Sequence, residues 1–102
     1  MSRIAALESL LAKGQDGALL RYSLGSEHLG GGDAAAALPH LERAVALDPG
    51  YSAAWKLLGK ARTALGDIPG AREAYQHGIA AAASRGDRQA EKDMRVFLKR
   101  LG

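Results

Sequence analysis

The stretch that decides the fold lies at residues 55–75 and reads WKLLGKARTALGDIPGAREAY. Thirty-four residues earlier, positions 21–41 read RYSLGSEHLGGGDAAAALPHL. Small and large residues recur in the same order in both stretches. The matching pairs are Leu24-Gly25 with Leu58-Gly59, Gly32-Asp33 with Gly66-Asp67, Ala37 with Ala71, Leu41 with Tyr75, and Ala44 with Gly78. Self-similarity at one fixed period is typical of stacked helical hairpins, in which each copy buries its apolar face against the next.

Gly25 and Gly59 indicate a close approach between helices. Each lies inside a helical pattern, where glycine costs about 1 kcal/mol relative to alanine. A cost repeated at the same position of both copies indicates that a neighbouring helix leaves no room for a Cβ. We therefore expect these two glycines at the tightest contacts inside their hairpins.

The rest of the chain also predicts helices. Apolar residues recur at helical spacing, no segment alternates, and β-branched residues are scarce. Three glycine-aspartate steps, at Asp33, Asp67 and Asp87, fit a glycine that ends one helix and an aspartate that caps the next. We predict an all-α chain of five to six helices, at about 2–13, 17–30, 34–47, 51–65, 68–84 and 88–101.

At these residues the chain resembles the tetratricopeptide repeat, whose signature W-x2-L-G-x2-Y is followed by A-x3-F and then by A and P. The second copy supplies Trp55, Leu58-Gly59, Ala71 and Tyr75, and the first supplies Leu24-Gly25, Ala37, Leu41, Ala44 and Pro49. The resemblance implies stacked helical hairpins in an α–α superhelix. It divides one domain, 1–102, into an N-terminal cap helix (1–17), repeat one (18–51), repeat two (52–85) and a C-terminal cap helix (86–102). Caps are expected because two repeats alone leave apolar ends uncovered.

Two departures from the signature carry structural expectations. Arg21 occupies the position of the first aromatic residue. We expect its aliphatic stem to lie on the core and its guanidinium group to stay in water. Ala83 stands where the terminating proline of the second repeat would be, so we expect the fifth helix to be longer than the third.

Composition excludes several classes of function. The 102 residues, 47% hydrophobic and 25% charged, leave room for one domain. The chain has no cysteine and hence no thiol nucleophile, and no apolar run is long enough to span a membrane. The three histidines lack the spacing of a metal site, and neither a G-x-S-x-G motif nor a phosphate-binding loop is present. We therefore expect a cytoplasmic protein that is not an enzyme and needs no cofactor or metal.

Charge is distributed unevenly along the chain. The net charge is +3, but residues 1–51 hold four basic and six acidic residues, which gives −2. Residues 52–102 hold ten basic and five acidic residues, which gives +5. This polarity favours acidic partners at the C-terminal end.

The resemblance also implies where a partner binds. In the tetratricopeptide family, one stripe on the first helix of each repeat lines a concave groove that holds an extended peptide or a partner's helix. The repeat register implies that this stripe comprises Tyr22, Ser26 and Leu29 in the first copy and Lys56, Lys60 and Thr63 in the second. Aligning Met94 with Trp55 adds Lys92, Arg95 and Lys99 from the last helix.

The sequence thus predicts a non-catalytic scaffold or adaptor module, a monomer or weak homodimer, that binds an acidic or carboxylate-ended segment of another protein. Three alternatives remain open. In the first, the lysines and arginines do no more than keep exposed helices solvated and bind no partner. In the second, the basic C-terminal helix binds nucleic acid. Against nucleic acid, Phe97 is the only aromatic residue near that end, so a stacking platform is missing. Finally, the chain could self-associate through an open hairpin end.

Overall fold

The computed structural model describes residues 2–102, which form six α-helices and no strand. The helices are α1 (Arg3–Ala12), α2 (Ala18–Gly30), α3 (Ala34–Leu47), α4 (Ser52–Ala64), α5 (Ile68–Arg85) and α6 (Arg88–Arg100). The predicted bounds agree with these within one residue, and the all-α prediction is confirmed.

Three helices begin after the same junction, a left-handed glycine followed by a capping aspartate. The carboxylates accept a hydrogen bond from the backbone N–H three residues later, at 3.0–3.1 Å. The aspartates are Asp33, Asp67 and Asp87, and the preceding glycines, Gly32, Gly66 and Gly86, have φ of 83°, 81° and 73°. Each junction therefore ends one helix and starts the next within two or three residues.

The helices pack in two layers. Helix α2 pairs with α3 and α4 pairs with α5, while α4 also packs on α3 and α6 packs on α5. Helices α2, α4 and α6 contact one another in succession, whereas α3 and α5 do not touch within residues 2–102. Because the layer whose members touch lies on the inside of a curve, α2, α4 and α6 form the concave surface. Helix α1 packs on α2 alone.

The two glycines of the repeat lie at equivalent close contacts. A Cβ on Gly25 would overlap the side chain of Leu41, and a Cβ on Gly59 would overlap the ring of Tyr75. Leu41 and Tyr75 are themselves 34 residues apart, so both hairpins close in the same way. The prediction of tight helix approach at both glycines is confirmed.

The core has two parts. The first core cluster joins α3, α4 and α5 and contains Ala37, Leu41, Ala44, Val45, Ala54, Leu58, Ala61 and Ala74. The second core cluster joins α5 and α6 and contains Ala71, Tyr75, Ala82, Ala90 and Met94. Met94 is fully buried, so α6 covers the apolar face of α5, whereas α1 contributes no buried residue.

The two departures from the signature have different outcomes. Helix α5 has 18 residues and α3 has 14, so the longer fifth helix is confirmed. For Arg21 the expectation of a solvated guanidinium is wrong. Its Nε and Nη2 donate to the two carboxylate oxygens of Asp16 at 2.7 and 3.1 Å, and its side chain is only 19% exposed. The loop between α1 and α2 brings the carboxylate that satisfies these donors.

Candidate functional site

The α2 side of the concave surface is aromatic. Tyr22 stacks on Tyr51, the residue before α4, with ring centroids 5.0 Å apart and planes at 26°. Burial raises the pKa of Tyr51, and the nearby Tyr22 and Asp48 raise it further, so its phenol stays neutral. Ser26 and Leu29 are half-buried. Leu29 packs against the first core cluster, so less of it is available to a ligand.

The two lysines of α4 lie against α6 and differ in their partners. The Lys56 Nζ lies 3.5 Å from Oδ2 of Asp93, and Oδ1 of the same carboxylate accepts a hydrogen bond from the side-chain amide of Gln89. The Lys60 Nζ lies 5.0 Å from the centroid of the Phe97 ring. Among residues 2–102, Lys60 takes part in no ion pair. Lys56 is thus internally neutralised, and Lys60 carries a free charge.

A second cation, not included in the sequence prediction of the groove, joins Lys60. The guanidinium carbon of Arg100 lies 6.0 Å from the centroid of the same Phe97 ring. Arg100 also has no carboxylate partner in the described part of the chain. We call Lys60 and Arg100 the cation pair. Attraction to the ring face holds both charges where α4 meets α6.

Thr63 is the last residue of the predicted α4 stripe. Its hydroxyl donates to the carbonyl oxygen of Gly59 at 2.8 Å, one turn earlier in the same helix. Thr63 is exposed. Because its proton is already engaged, the hydroxyl can offer a ligand only acceptor capacity.

The register of α6 differs from the predicted one. Helix α6 begins 36 residues after α4, and its buried Ala90 and Met94 lie 36 residues after the buried Ala54 and Leu58. The sequence alignment of Met94 with Trp55 assumed a shift of 39. The shift is 36 because α5 is four residues longer than α3, whereas the junction after it, Gly86 and Asp87, is two residues shorter than the one after α3.

The structural register assigns the basic residues of α6 to other positions of the stripe than the sequence alignment does. Lys92 and Lys99 correspond to Lys56 and Thr63, whereas Arg95 corresponds to the buried Gly59. Arg95 pairs with Glu91 of its own helix at 2.9 Å. Lys92, Arg95 and Lys99 are all exposed. The α6 residues in contact with Lys56 and Lys60 are Asp93 and Phe97. Lys92 and Lys99 thus keep the stripe positions of Lys56 and Thr63, whereas Arg95 leaves the stripe. That these side chains line the groove stays a prediction.

The sequence contains a signal for Phe97 and Arg100, which the predicted groove does not include. Matching Ala90 and Met94 to Ala54 and Leu58 by their apolar spacing places Arg100 one turn after the position of Lys60. The same match brings Phe97 to the α4 side of the helix. The fixed 34-residue period gives no such match, because α5 and the junction after it together add two residues to the period.

A second polar cluster lies on the other side of α2. The rings of His28 and His40 stack with centroids 5.6 Å apart, and Arg21 approaches Nδ1 of His40 at 3.1 Å. Because a guanidinium group can only donate, Nδ1 of His40 accepts and carries no proton. Burial, followed by the charges of Arg21 and His28, lowers the pKa of His40. This cluster, together with Asp16, ties the α1–α2 loop to the first hairpin.

Two kinds of site are not found in the described chain. Residues 2–102 contain no group of three or more histidine, aspartate or glutamate side chains placed to hold a metal ion. None of the six helices is both long and apolar enough to cross a bilayer.

Comparison with known proteins extends these findings. Residues 28–91 match the family profile described as tetratricopeptide repeat. A TPR repeat-containing protein of Pseudomonas aeruginosa is 59% identical over 98 residues, which cover 96% of this chain and 93% of that protein. A protein of Bordetella parapertussis, solved in solution, superposes with a TM-score of 0.84 at 48% identity and covers 99% of this chain and 88% of its own.

A more distant relative is a co-chaperone. A heat-shock protein cognate co-chaperone of Aspergillus fumigatus is 37% identical over 60 residues, which cover 59% of this chain and 18% of that protein. The profile match covers more than half of the chain, and the bacterial relative covers nearly all of it. This chain belongs to the tetratricopeptide repeat family.

Proposed function

We propose that this protein is an interaction module whose concave surface binds an acidic segment or a free C-terminal carboxylate of another protein. Tetratricopeptide repeat domains generally act as non-catalytic modules for protein–protein interaction, and a partly matching relative is a co-chaperone. The observation that carries the proposal is the cation pair, in which Lys60 and Arg100 face one aromatic ring without a carboxylate partner.

The cation pair suits a carboxylate. Guanidinium and ammonium groups bind carboxylates through charge-assisted hydrogen bonds, which are shorter and stronger than neutral ones. The Lys56–Asp93 ion pair lies beside the cation pair and already satisfies its own charges. An incoming carboxylate therefore needs to displace no internal anion from Lys60 or Arg100.

The aromatic side of the groove supplies a different contribution. Tyr22 and Tyr51 are half-buried and stacked, so they offer a ligand a rigid apolar surface at little entropic cost. An apolar residue next to the ligand carboxylate would pack against this pair. Contacts of this kind depend less on salt than the charged contacts do.

The expected affinity is modest. Exposed charge pairs contribute about 0–1 kcal/mol each, and long side chains lose entropy when they are held in place. We expect dissociation constants of roughly micromolar magnitude or weaker. Binding should weaken as salt is added, because salt screens the exposed cations.

Chemical-shift mapping with a panel of acidic and carboxylate-ended peptides tests the proposal. We expect shifts at Tyr22, Lys60 and Arg100 and at their neighbours. Lys60→Gln and Arg100→Gln should each weaken binding by up to about fivefold, since each removes one exposed charge pair worth at most about 1 kcal/mol. Lys13→Gln at the end of α1 removes the same charge away from the groove and should leave affinity unchanged.

Two outcomes would contradict the proposal. Shifts confined to the outer faces of α3 and α5, with the groove silent, would place the ligand elsewhere. Equal losses in Lys60→Gln and Lys13→Gln would mean that only net charge matters. Binding of an oligonucleotide that depends on Lys92 and Lys99 and ignores Lys60 would favour the nucleic-acid alternative.

A further inference from the structure

A second unoccupied surface lies at the N-terminal end of the stack, away from the groove. A cleft of about 480 Å³ opens between α1 and α2. Its lining consists of Leu7 and Leu10 from α1, Gln15 and Gly17 from the loop, and Ala18, Leu19, Leu20 and Ser23 from α2. No charged residue lines it. Beside it, Leu19 is 68% exposed, more than any other large apolar residue of the described chain.

The repeat explains why this cleft exists. The positions of α4 that lie 34 residues after Leu19 and Ser23 of α2 are Ala53 and Leu57. In α4 these two residues are half-buried, and Leu57 packs against the first core cluster. The α2 face is therefore exposed at Leu19, whereas the equivalent position of α4, Ala53, is half-buried.

The missing neighbour is a helix. Helix α1 packs on α2 as α3 packs on α4, so α1 takes the place of the second helix of a preceding repeat. Helix α4 has one more neighbour toward the N-terminal end of the stack, because α2 also packs on it. The corresponding place beside α2 is empty among residues 2–102, and the cleft occupies it.

We propose that the occupant is a second copy of this chain, joined head to head by a two-fold axis, with Leu19 of each copy seated in the cleft of the other. In a two-fold interface the same patch meets itself, so it must be self-complementary. An exposed leucine next to an uncharged apolar cleft meets that requirement. The residues that line the cleft bring no like charges together, because none of them is charged.

The opposite end of the molecule does not suit this role. The exposed side of α6 carries Arg88, Lys92 and Lys99, none of which has a carboxylate partner in the described chain. Placing this side in the N-terminal cleft would move charges into an uncharged apolar site, at a desolvation cost. Joining two such ends would bring like charges together. Head-to-head pairing is the arrangement that avoids both costs.

The dimer should be weak, because two short helices per copy offer a small interface, and small interfaces are typical of transient complexes. Sedimentation velocity from about 10 µM to about 1 mM should show wild-type dimers forming with increasing concentration. Leu19→Asp should weaken dimerisation about tenfold or more, because it buries two unpaired charges at the interface. Val96→Asp, at an exposed apolar position of α6, is the matched control and should leave dimerisation unchanged.

Spin labels give the orientation. The chain lacks cysteine, so Ser9→Cys on α1 and Lys99→Cys on α6 each accept a single nitroxide. Each spin-labelled variant is mixed with ¹⁵N-labelled protein that carries no nitroxide. The label at Ser9→Cys should broaden the amide signals of Leu19 and Ser23 in the ¹⁵N-labelled copy, and the label at Lys99→Cys should not. Broadening by Lys99→Cys would establish head-to-tail packing and overturn the proposal.

The test is independent of the groove. Leu19 is exposed, so Leu19→Asp should melt as the wild type does and should still bind the acidic peptides. Lys60→Gln should lose peptide affinity and still dimerise. A wild-type protein that stays monomeric up to about 1 mM, or a Leu19→Asp variant that dimerises as the wild type does, overturns the inference whatever the peptide result.

Discussion

At the residue scale, sequence predicts those contacts that repeat and misses those that do not. Gly25 and Gly59 were identifiable because each violates helix propensity at the same place in both copies, and both lie against a core side chain. The environment of Arg21 was not predictable in this way. Its carboxylate partner, Asp16, lies in a loop outside the repeat, so no periodic signal links the two.

His40 gives the fold a sensitivity to mild acid. Its pKa is lowered by burial and by the charges of Arg21 and His28, against smaller opposing effects of Glu8 and Asp16. As pH falls below the ordinary histidine value of about 6.5, the unfolded chain binds the proton first. The stabilisation is therefore complete above about pH 6.5 and decreases below it. Urea unfolding at about pH 8 and about pH 5.5 should show a lower free energy of unfolding at the lower pH.

A variant separates this histidine from other titrating groups. His40→Gln can still accept a hydrogen bond from Arg21 through its amide oxygen, but it does not titrate. It should lose less stability than the wild type over the same pH interval. Asp16 does not interfere, because its pKa is lowered from 3.8 by Arg21 and it therefore stays ionised throughout. An identical pH dependence in both proteins would show that His40 is not the group concerned.

At the element scale, helix bounds follow closely from local chemistry. Glycine-aspartate junctions and apolar spacing predicted all six helices within one residue, because capping is a contact between neighbours in sequence. The register of α6 was predicted less well. A longer α5 followed by a junction of two residues changes the 34-residue period to a shift of 36, and only packing of Ala90 and Met94 on α5 establishes that shift.

Gly59→Ala tests the closest contact between α4 and α5. In an open helix this change would stabilise by about 1 kcal/mol. Here the added Cβ would overlap the ring of Tyr75, so the net effect should be a loss of about 1–3 kcal/mol. Gly59→Leu should cost a few kcal/mol, since the larger side chain forces the helices apart. Thermal and urea unfolding, followed by the fluorescence of Trp55, the only tryptophan, measure both effects.

Gly30→Ala is the matched control for this prediction. Gly30 ends α2, has no positive φ, and has open space where a Cβ would lie. The change should leave stability unchanged or raise it by a few tenths of a kcal/mol. If Gly59→Ala were as stable as the wild type, the two helices would not be packed as closely as the structure places them.

At the scale of the whole molecule, the repeat predicts the surface and not the partner. The family resemblance located the stripe that carries Tyr22, Lys56 and Lys60, and composition located the excess of positive charge in the C-terminal half. Neither could identify the cation pair, since Lys60 and Arg100 are 40 positions apart and meet only when α6 folds onto α4 and α5. The division of the chain into two repeats and two caps stays a prediction.

Deleting residues 87–102 tests whether α6 is a cap. The deletion would uncover Tyr75 and Ile79 of α5, which α6 covers through Met94 and Phe97 in the second core cluster. A repeat stack that exposes such a face tends to aggregate or to lose fixed packing. We expect the shortened chain to unfold with reduced cooperativity, to bind the dye ANS, and to sediment as a mixture of species.

Deleting residues 1–13 is the contrasting experiment at the other end. Helix α1 contributes no buried residue and packs on α2 alone, so its removal uncovers much less of the core. We expect that chain to keep cooperative unfolding with a lower midpoint, because helices α2 to α6 retain both core clusters. If the chain without residues 87–102 instead unfolded as cooperatively as the full chain and stayed monomeric, α6 would not be a cap. The first core cluster would then hold the fold without α6, and the packing of Ala90 and Met94 on α5 would not be needed for cooperative unfolding.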